Sequence, residues 1–187
     1  MITSDELLSE RLIMRTLGAE DAQVVVDYHQ RCWPFVAPWH PQVDTEFFTL
    51  NGQRARLETE RTSRLVGSAM RFYLFLRTKP SGPIIGDLHF SGIIRGAFQS
   101  CFIGYKMDSS ATNCGYMTEA LRRGIAFMFK ELRLHRLEAN IMPRNLPSRR
   151  VVSKLGFYEE GLARKYLKIN GIWEDHLHYV LLNPDEE

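Results

Sequence analysis

The chain has 187 residues, enough for one domain with a sizeable core, and no apolar run near the roughly 18 residues of a membrane-spanning helix. Its 24 Lys and Arg nearly balance 22 Asp and Glu, and the net charge of +2 is too mild to demand a nucleic-acid partner. Cys32, Cys101 and Cys114 are odd in number and show no Cys-x-x-Cys spacing, which argues for reduced thiols in a cytoplasm and against a metal site.

The start, Met1-Ile2-Thr3-Ser4-Asp5-Glu6, carries neither the basic nor the apolar segment of a secretion signal. Residues 10–15 alternate polar and apolar, the pattern of a strand. Residues 20–30 read as a helix, with Ala22, Val25, Val26 and His29 spaced along it. The stretch 32–41 mixes Pro34, Pro38 and Pro41 with aromatics and reads as a loop. A second helix falls between 45 and 64. Residues 70–76 and 84–94 look like paired strands about the turn Lys79-Pro80-Ser81-Gly82-Pro83. Another apolar strand, 101–107, follows.

Next, Asn113-Cys114-Gly115-Tyr116-Met117-Thr118-Glu119-Ala120 turns strand into helix. Met117, Leu121, Gly124 or Ile125, Met128 and Leu132 recur at three- and four-residue spacing. A strand at 135–141 leads into Pro143-Arg144-Asn145-Leu146-Pro147-Ser148. A short helix then turns Val151, Val152 and Leu155 inward, with Gly156 as its stop. Residues 161–182 form two strands joined at Asn170-Gly171, a favoured hairpin turn. The expected whole is one domain over 11–182 with an acidic tail at 183–187. Its fold class is mixed α+β, a mostly antiparallel twisted sheet of about seven strands with helices on both faces.

A short polar loop with glycine at a helix start is a ready anion site. Free backbone N–H groups point outward there, and the helix dipole favours negative charge. The spacing fits neither the dinucleotide fingerprint nor the P-loop. Glycine at such a place also serves as a plain turn or packing residue, so the loop alone leaves both uses open.

With the strand before it and the Asn-x-x-Ser turn after it, this loop resembles the GNAT family of acetyl-coenzyme A-dependent N-acetyltransferases. The family signature, Arg/Gln-x-x-Gly-x-Gly/Ala, matches Thr112-Asn113-Cys114-Gly115-Tyr116-Met117. Phe90-Ser91, Arg95-Gly96-Ala97-Phe98, Ile103-Gly104-Tyr105, His135-Arg136, Ala139-Asn140, Met142-Pro143 and Leu155-Gly156-Phe157 resemble the RimJ branch. Glu160-Gly161, Tyr166-Leu167 and Gly171-x-Trp173-x-Asp175-His176 do the same. The likeness runs from about Arg11 to Leu182. That branch holds bacterial enzymes that acetylate the N-terminal alanine of a small-subunit ribosomal protein, so the resemblance implies acetyl-CoA as cosubstrate and a ribosomal protein N-terminus as partner. Membrane association is not expected, and a homodimer stays open.

The resemblance also assigns residues. The pyrophosphate is expected on Thr112, Asn113, Cys114, Gly115, Tyr116, Met117 and Thr118, largely through backbone. The pantetheine arm is expected along Tyr105, Lys106 and Met107 like an added strand, with Asn145 reaching it from the neighbouring strand; Asn145 serves equally well as a turn former. Thr112 and Asn113 depart from the family pattern. Asn tolerates the left-handed backbone better than most residues, so the loop can survive the change.

The reaction needs a neutral amine, a stabilised oxyanion and a protonated leaving thiolate. Where many relatives carry a glutamate before Ile-Gly-Tyr, this chain has Phe102. That gap suits an α-amino acceptor, of which on the order of a tenth is neutral at pH 7, better than a lysine. Ser148 is expected to hydrogen-bond the departing sulfur; capping the next helix is its other use. His89, His176 and His178 lack the company of a metal site. Arg122, Arg123, Arg144, Arg149, Arg150 and Lys154 divide between adenosine phosphates and solvated helix faces. Trp39 and Trp173 are expected to wall the acceptor site. Two other functions stay open: acetylation of a small-molecule amine, and binding without catalysis.

Overall fold

The structure, a computed structural model, describes residues 5–186; residues 1–4, part of the N-terminal reading, and residue 187, part of the acidic tail, lie outside it. In chain order the elements are β1 (Glu6–Leu8), β2 (Leu12–Arg15), α1 (Ala22–Val36), α2 (Leu50–Val66), β3 (Met70–Leu76), β4 (Gly86–Ile94) and β5 (Ser100–Met107). Then come α3 (Tyr116–Lys130), β6 (Arg136–Ile141), α4 (Leu146–Lys154), β7 (Tyr158–Ile169) and β8 (Ile172–Leu182). The strands form one eight-stranded sheet in the order β1-β2-β3-β4-β5-β6-β8-β7. Every pairing is antiparallel except β5 with β6.

The mixed fold with helices on both faces is as expected, with one strand more. The addition is β1, whose three residues are too few to show an alternation. Strand alternation divides the core in two. On β3, Met70, Phe72 and Leu74 enter a cluster with α3, while Tyr73 and Phe75 enter another with α1 and α2. Asn183, past the expected domain end, is buried and donates to the Leu134 carbonyl at 3.1 Å.

The proline-broken loop is corrected. α1 runs through Pro34 to Val36, and residues 37–39 add a 3₁₀ turn. A proline inside a helix forfeits one backbone bond, at a cost of about 3 kcal/mol. Here Tyr28, Cys32 and Val36, four residues apart, continue the buried stripe past the proline. Pro34 and Gln30, whose carbonyl loses its donor, are both exposed. The turn at Asn170 and Gly171 takes positive φ at both residues, +46° and +83°, as a tight hairpin requires.

The feature that positions the site is a split. β5 and β6 pair only at Ser100–Arg136, Cys101–Leu137 and Phe102–Glu138. Beyond that the two strands part, and the edge of β5 from Ile103 to Met107 has no partner on β6.

Candidate active site

A cleft of about 340 Å³ opens beside that split. It is lined by Tyr105, Lys106 and Met107 of β5, by Thr112, Asn113 and Gly115 through Thr118 of the loop and α3, and by Asn145, Ser148 and Val151. Trp39 and His40 close the other end. The structure thus gathers almost every residue expected around the cofactor. Cys114 is the exception: it is exposed, outside the lining, with its thiol on the Thr112 carbonyl at 3.3 Å.

The loop is built for backbone donors. Asn113 and Gly115 both adopt the left-handed backbone, φ +60° and +79°. Gly115 is the N-cap of α3 and offers no side chain to the helix. The Glu119 N–H is bonded back to the Gly115 carbonyl at 3.0 Å, so those of Tyr116, Met117 and Thr118 precede the first helical bond. Such a trio of donors at the positive end of a 15-residue helix suits a pyrophosphate. The Met117 side chain itself is buried in the core, so its contribution here is its N–H.

Arg11 braces this loop from behind, a role the sequence reading missed. Its backbone N–H and its Nε both donate to the Glu119 carboxylate, at 2.7 and 2.6 Å. Its Nη1 donates to the Cys114 carbonyl at 3.0 Å, and its guanidinium lies over the Tyr116 ring. The signal available was Glu119 in the first helical turn, where a carboxylate favours the dipole.

Ser148 does not cap α4. The cap is Asn145, whose Oδ1 accepts from the Ser148 N–H at 3.2 Å. The Ser148 hydroxyl instead donates to the Tyr105 hydroxyl at 2.7 Å. Burial pushes the Tyr105 phenol well above its ordinary range, so its proton stays on. Of the six basic residues in question, Arg150 and Lys154 line the cleft. Arg149 is held by the Tyr179 hydroxyl and Arg123 by the Leu8 carbonyl.

Lys106 lines the cleft, but its ammonium turns to the α1 side and pairs with Asp87 at 3.0 Å. Arg71 pairs with the same carboxylate and with Glu60. Burial alone would raise Asp87; Lys106 and Arg71 hold it far below the usual carboxylate range. Burial depresses the neighbouring histidines, His29 to about 2 and His40 to about 4. This buried network was missed because its members lie far apart in sequence and nothing local marks them. A second hollow, lined by Asp5, Thr16, Glu58, Glu60, Arg61 and Arg64, lies away from the loop, and its arginines are already ion-paired.

The two tryptophans do not meet as expected. Trp39 lines the cleft under the Arg144 guanidinium, which is tied to Glu174 at 2.6 Å. Trp173 is 57% exposed, lies outside the lining, and pairs with Lys168 at the hairpin end. It shares strand parity with Leu177 and Tyr179, on the side opposite His176 and His178. The hairpin does reach the 3₁₀ turn that follows α1, through Asn170 Nδ2 to the Ala37 carbonyl at 2.9 Å. Among the described residues no cluster of His, Cys, Asp and Glu is placed to hold a metal.

The family model for the acetyltransferase (GNAT) domain matches residues 11–158. The chain belongs to the GNAT acetyltransferase family. A GNAT relative from Bacillus subtilis (strain 168), named "Probable N-acetyltransferase YjcK", is 46% identical over 97% of this chain and 99% of its own length. The [ribosomal protein uS5]-alanine N-acetyltransferase of Escherichia coli (strain K12) is 36% identical over 96% of this chain and 91% of its own. Among solved structures, the ribosomal-protein-S5-alanine acetyltransferase from Vibrio fischeri superposes with a TM-score of 0.91 at 34% identity, covering 98% of this chain and all of that one. Mycobacterium smegmatis RimJ in complex with CoA-disulfide gives 0.86 at 30% identity, over 94% and 83%.

Proposed function

We propose that this enzyme transfers the acetyl group of acetyl-CoA to the N-terminal α-amino group of a protein, the leading candidate being an N-terminal alanine of a small-subunit ribosomal protein. The observation that carries the reading is a single cleft holding both a backbone anion site, at Tyr116 to Thr118, and the unpaired edge of β5. One suits a pyrophosphate and the other an amide-bearing arm. Acetyl-CoA, when bound, supplies an activated thioester. The chain supplies a hydroxyl, that of Ser148, at the wall where a departing sulfur needs a proton donor.

The acceptor reading rests on chemistry and on the relatives. Phe102 offers no carboxylate, and among the described residues no Asp or Glu lines the cleft. An α-amino group of pKa about 7.7–8.0 needs little help to lose its proton near pH 7, whereas a lysine near 10.4 needs a strong base. The uS5-alanine enzyme of Escherichia coli, alike over nearly the whole chain, supports the alanine assignment.

The test is mass spectrometry of ribosomal proteins from cells with and without the gene. The reading expects one small-subunit protein to lose its N-terminal acetyl group in the deletion strain. Unchanged N-termini, with acetylation lost from lysines or from small amines, would overturn it.

A further inference from the structure

The split has a second face. Cys101, Ile103 and Tyr105 point to the α3 side, so Phe102, Gly104 and Lys106 point to the α1 side. On β6, Leu137, Ala139 and Ile141 point to the α3 side, leaving Glu138 and Asn140 opposite. Beyond the last pair, Phe102–Glu138, the next residues on that face are Gly104 and Asn140. They flank the mouth of the split. His89 lies against Gly104, where a β-carbon would come within 2.1 Å of its ring. His178 sits across from Asn140 on β8. The apolar cluster beneath α1 and α2 has no member from β6, β7 or β8, so this part of the face has no such apolar cover.

Polar atoms here are buried and unanswered. Asn140 Oδ1, His178 Nε2 and His89 Nδ1 have no hydrogen-bond partner. The other end of the Asn140 amide is fixed, with Nδ2 donating to the Tyr166 hydroxyl at 3.2 Å, and the Tyr166 ring rests edge-on to His178. Folded proteins leave few buried polar groups unpaired, because a buried donor or acceptor without a partner has given up its hydration for nothing in return. Asn140 and His178 face one another across the β6–β8 pair, and an unpartnered carbonyl oxygen and imidazole nitrogen on that pair suit a ligand with several N–H donors. The charge agrees. Arg136 is shared between Glu138 and Glu160, at 2.9 and 2.5 Å, so two carboxylates meet one cation on this face.

We infer that Asn140 and His178 seat the acceptor's α-amino group on the face of the split opposite Ser148. This rests on the proposed α-amine reading and assigns residues to it. The amine then approaches the split from the α1 side, while the serine hydroxyl waits on the α3 side. His89, covering Gly104, forms the far wall. Its imidazole, forced neutral by burial, adds no repelling charge.

Calorimetry with two peptides of one sequence tests the seat, the N-terminal alanine free in one and acetylated in the other. Wild-type protein should prefer the free peptide by about tenfold, the value of one hydrogen bond to a charged group. Asn140→Leu, matched in size, should erase that preference and raise the peptide KM while leaving the acetyl-CoA KM unchanged. Asn140→Asp, which keeps an acceptor oxygen, should restore it. Should Asn140→Leu fail to fold, His178→Phe carries the same comparison. Folded variants that still prefer the free peptide overturn the seat. A wild-type enzyme that acetylates a lysine peptide and not the free N-terminus overturns the α-amine reading itself, and the seat with it.

Discussion

The hydroxyls of Ser148 and Tyr105 are 2.7 Å apart, and Tyr105 donates in turn to the carbonyl of Ser148 itself, at 3.0 Å. The pair joins α4 to the open edge of β5 across the cleft. When another acceptor takes the serine proton, Tyr105 can turn its own toward the serine oxygen. The tyrosine thereby holds the serine hydroxyl in place.

Ser148→Ala should therefore lower kcat by about 10²–10⁴-fold with little change in cofactor affinity. Tyr105→Phe should lower kcat less, and the double variant should be no worse than Ser148→Ala alone, a coupling that a double-mutant cycle measures. Additive losses would separate the two hydroxyls.

Stability should divide differently from activity. Asn145→Ala removes the cap of α4 and should cost about 1 kcal/mol in urea unfolding. Ser148→Ala leaves the cap in place and should cost less. The reverse order would return the capping role to serine.

The cofactor loop makes a charge-specific prediction. Gly115 at φ +79° has only Arg11 Nη2 near a would-be β-carbon, at 3.5 Å, so substitution there strains the backbone without a clash. Gly115→Ala and Gly115→Asp should share that strain, about 1–2 kcal/mol. Only the aspartate adds a negative charge among the donors, so it should weaken acetyl-CoA binding further, and by less at high salt. Equal affinities in the two variants would move the pyrophosphate elsewhere.

Stability should fall with pH below about 6.5, the ordinary histidine value. Folded His29 is held down to about 2 and His40 to about 4, by burial first and by Lys106 next. Between those values the unfolded chain binds protons that the folded chain refuses, so acid favours unfolding. Each such histidine contributes a slope of about 1.4 kcal/mol per pH unit. His29→Phe should flatten urea-derived stability between pH 6 and pH 5 by about that slope; an unchanged slope would contradict the burial argument.

Much of this was legible in sequence, for local reasons. The loop before α3 shows as a strand run, a glycine and then helical spacing, and Asn113 takes the backbone that asparagine tolerates. The β7–β8 hairpin shows in Asn170-Gly171. What was hidden depends on distant partners. Pro34 reads as a breaker until Cys32 and Val36 are seen to be buried. Lys106 reads as part of the strand edge beside the cofactor, which its place in the cleft lining fits, but nothing local shows that its ammonium turns away to Asp87. Asn145 and Ser148 exchange the capping role through one hydrogen bond. The β5–β6 split leaves no mark at all, since nothing in either strand says where their pairing stops.

The most direct test of the account is a rate comparison on two otherwise identical peptides. One carries a free N-terminal alanine and a blocked lysine, the other a blocked N-terminus and a free lysine. The account predicts acetylation of the first, with a rate that rises with pH and levels off near pH 8, about the pKa of an α-amino group. Preference for the free lysine, with a rate still climbing toward about pH 10, would contradict it.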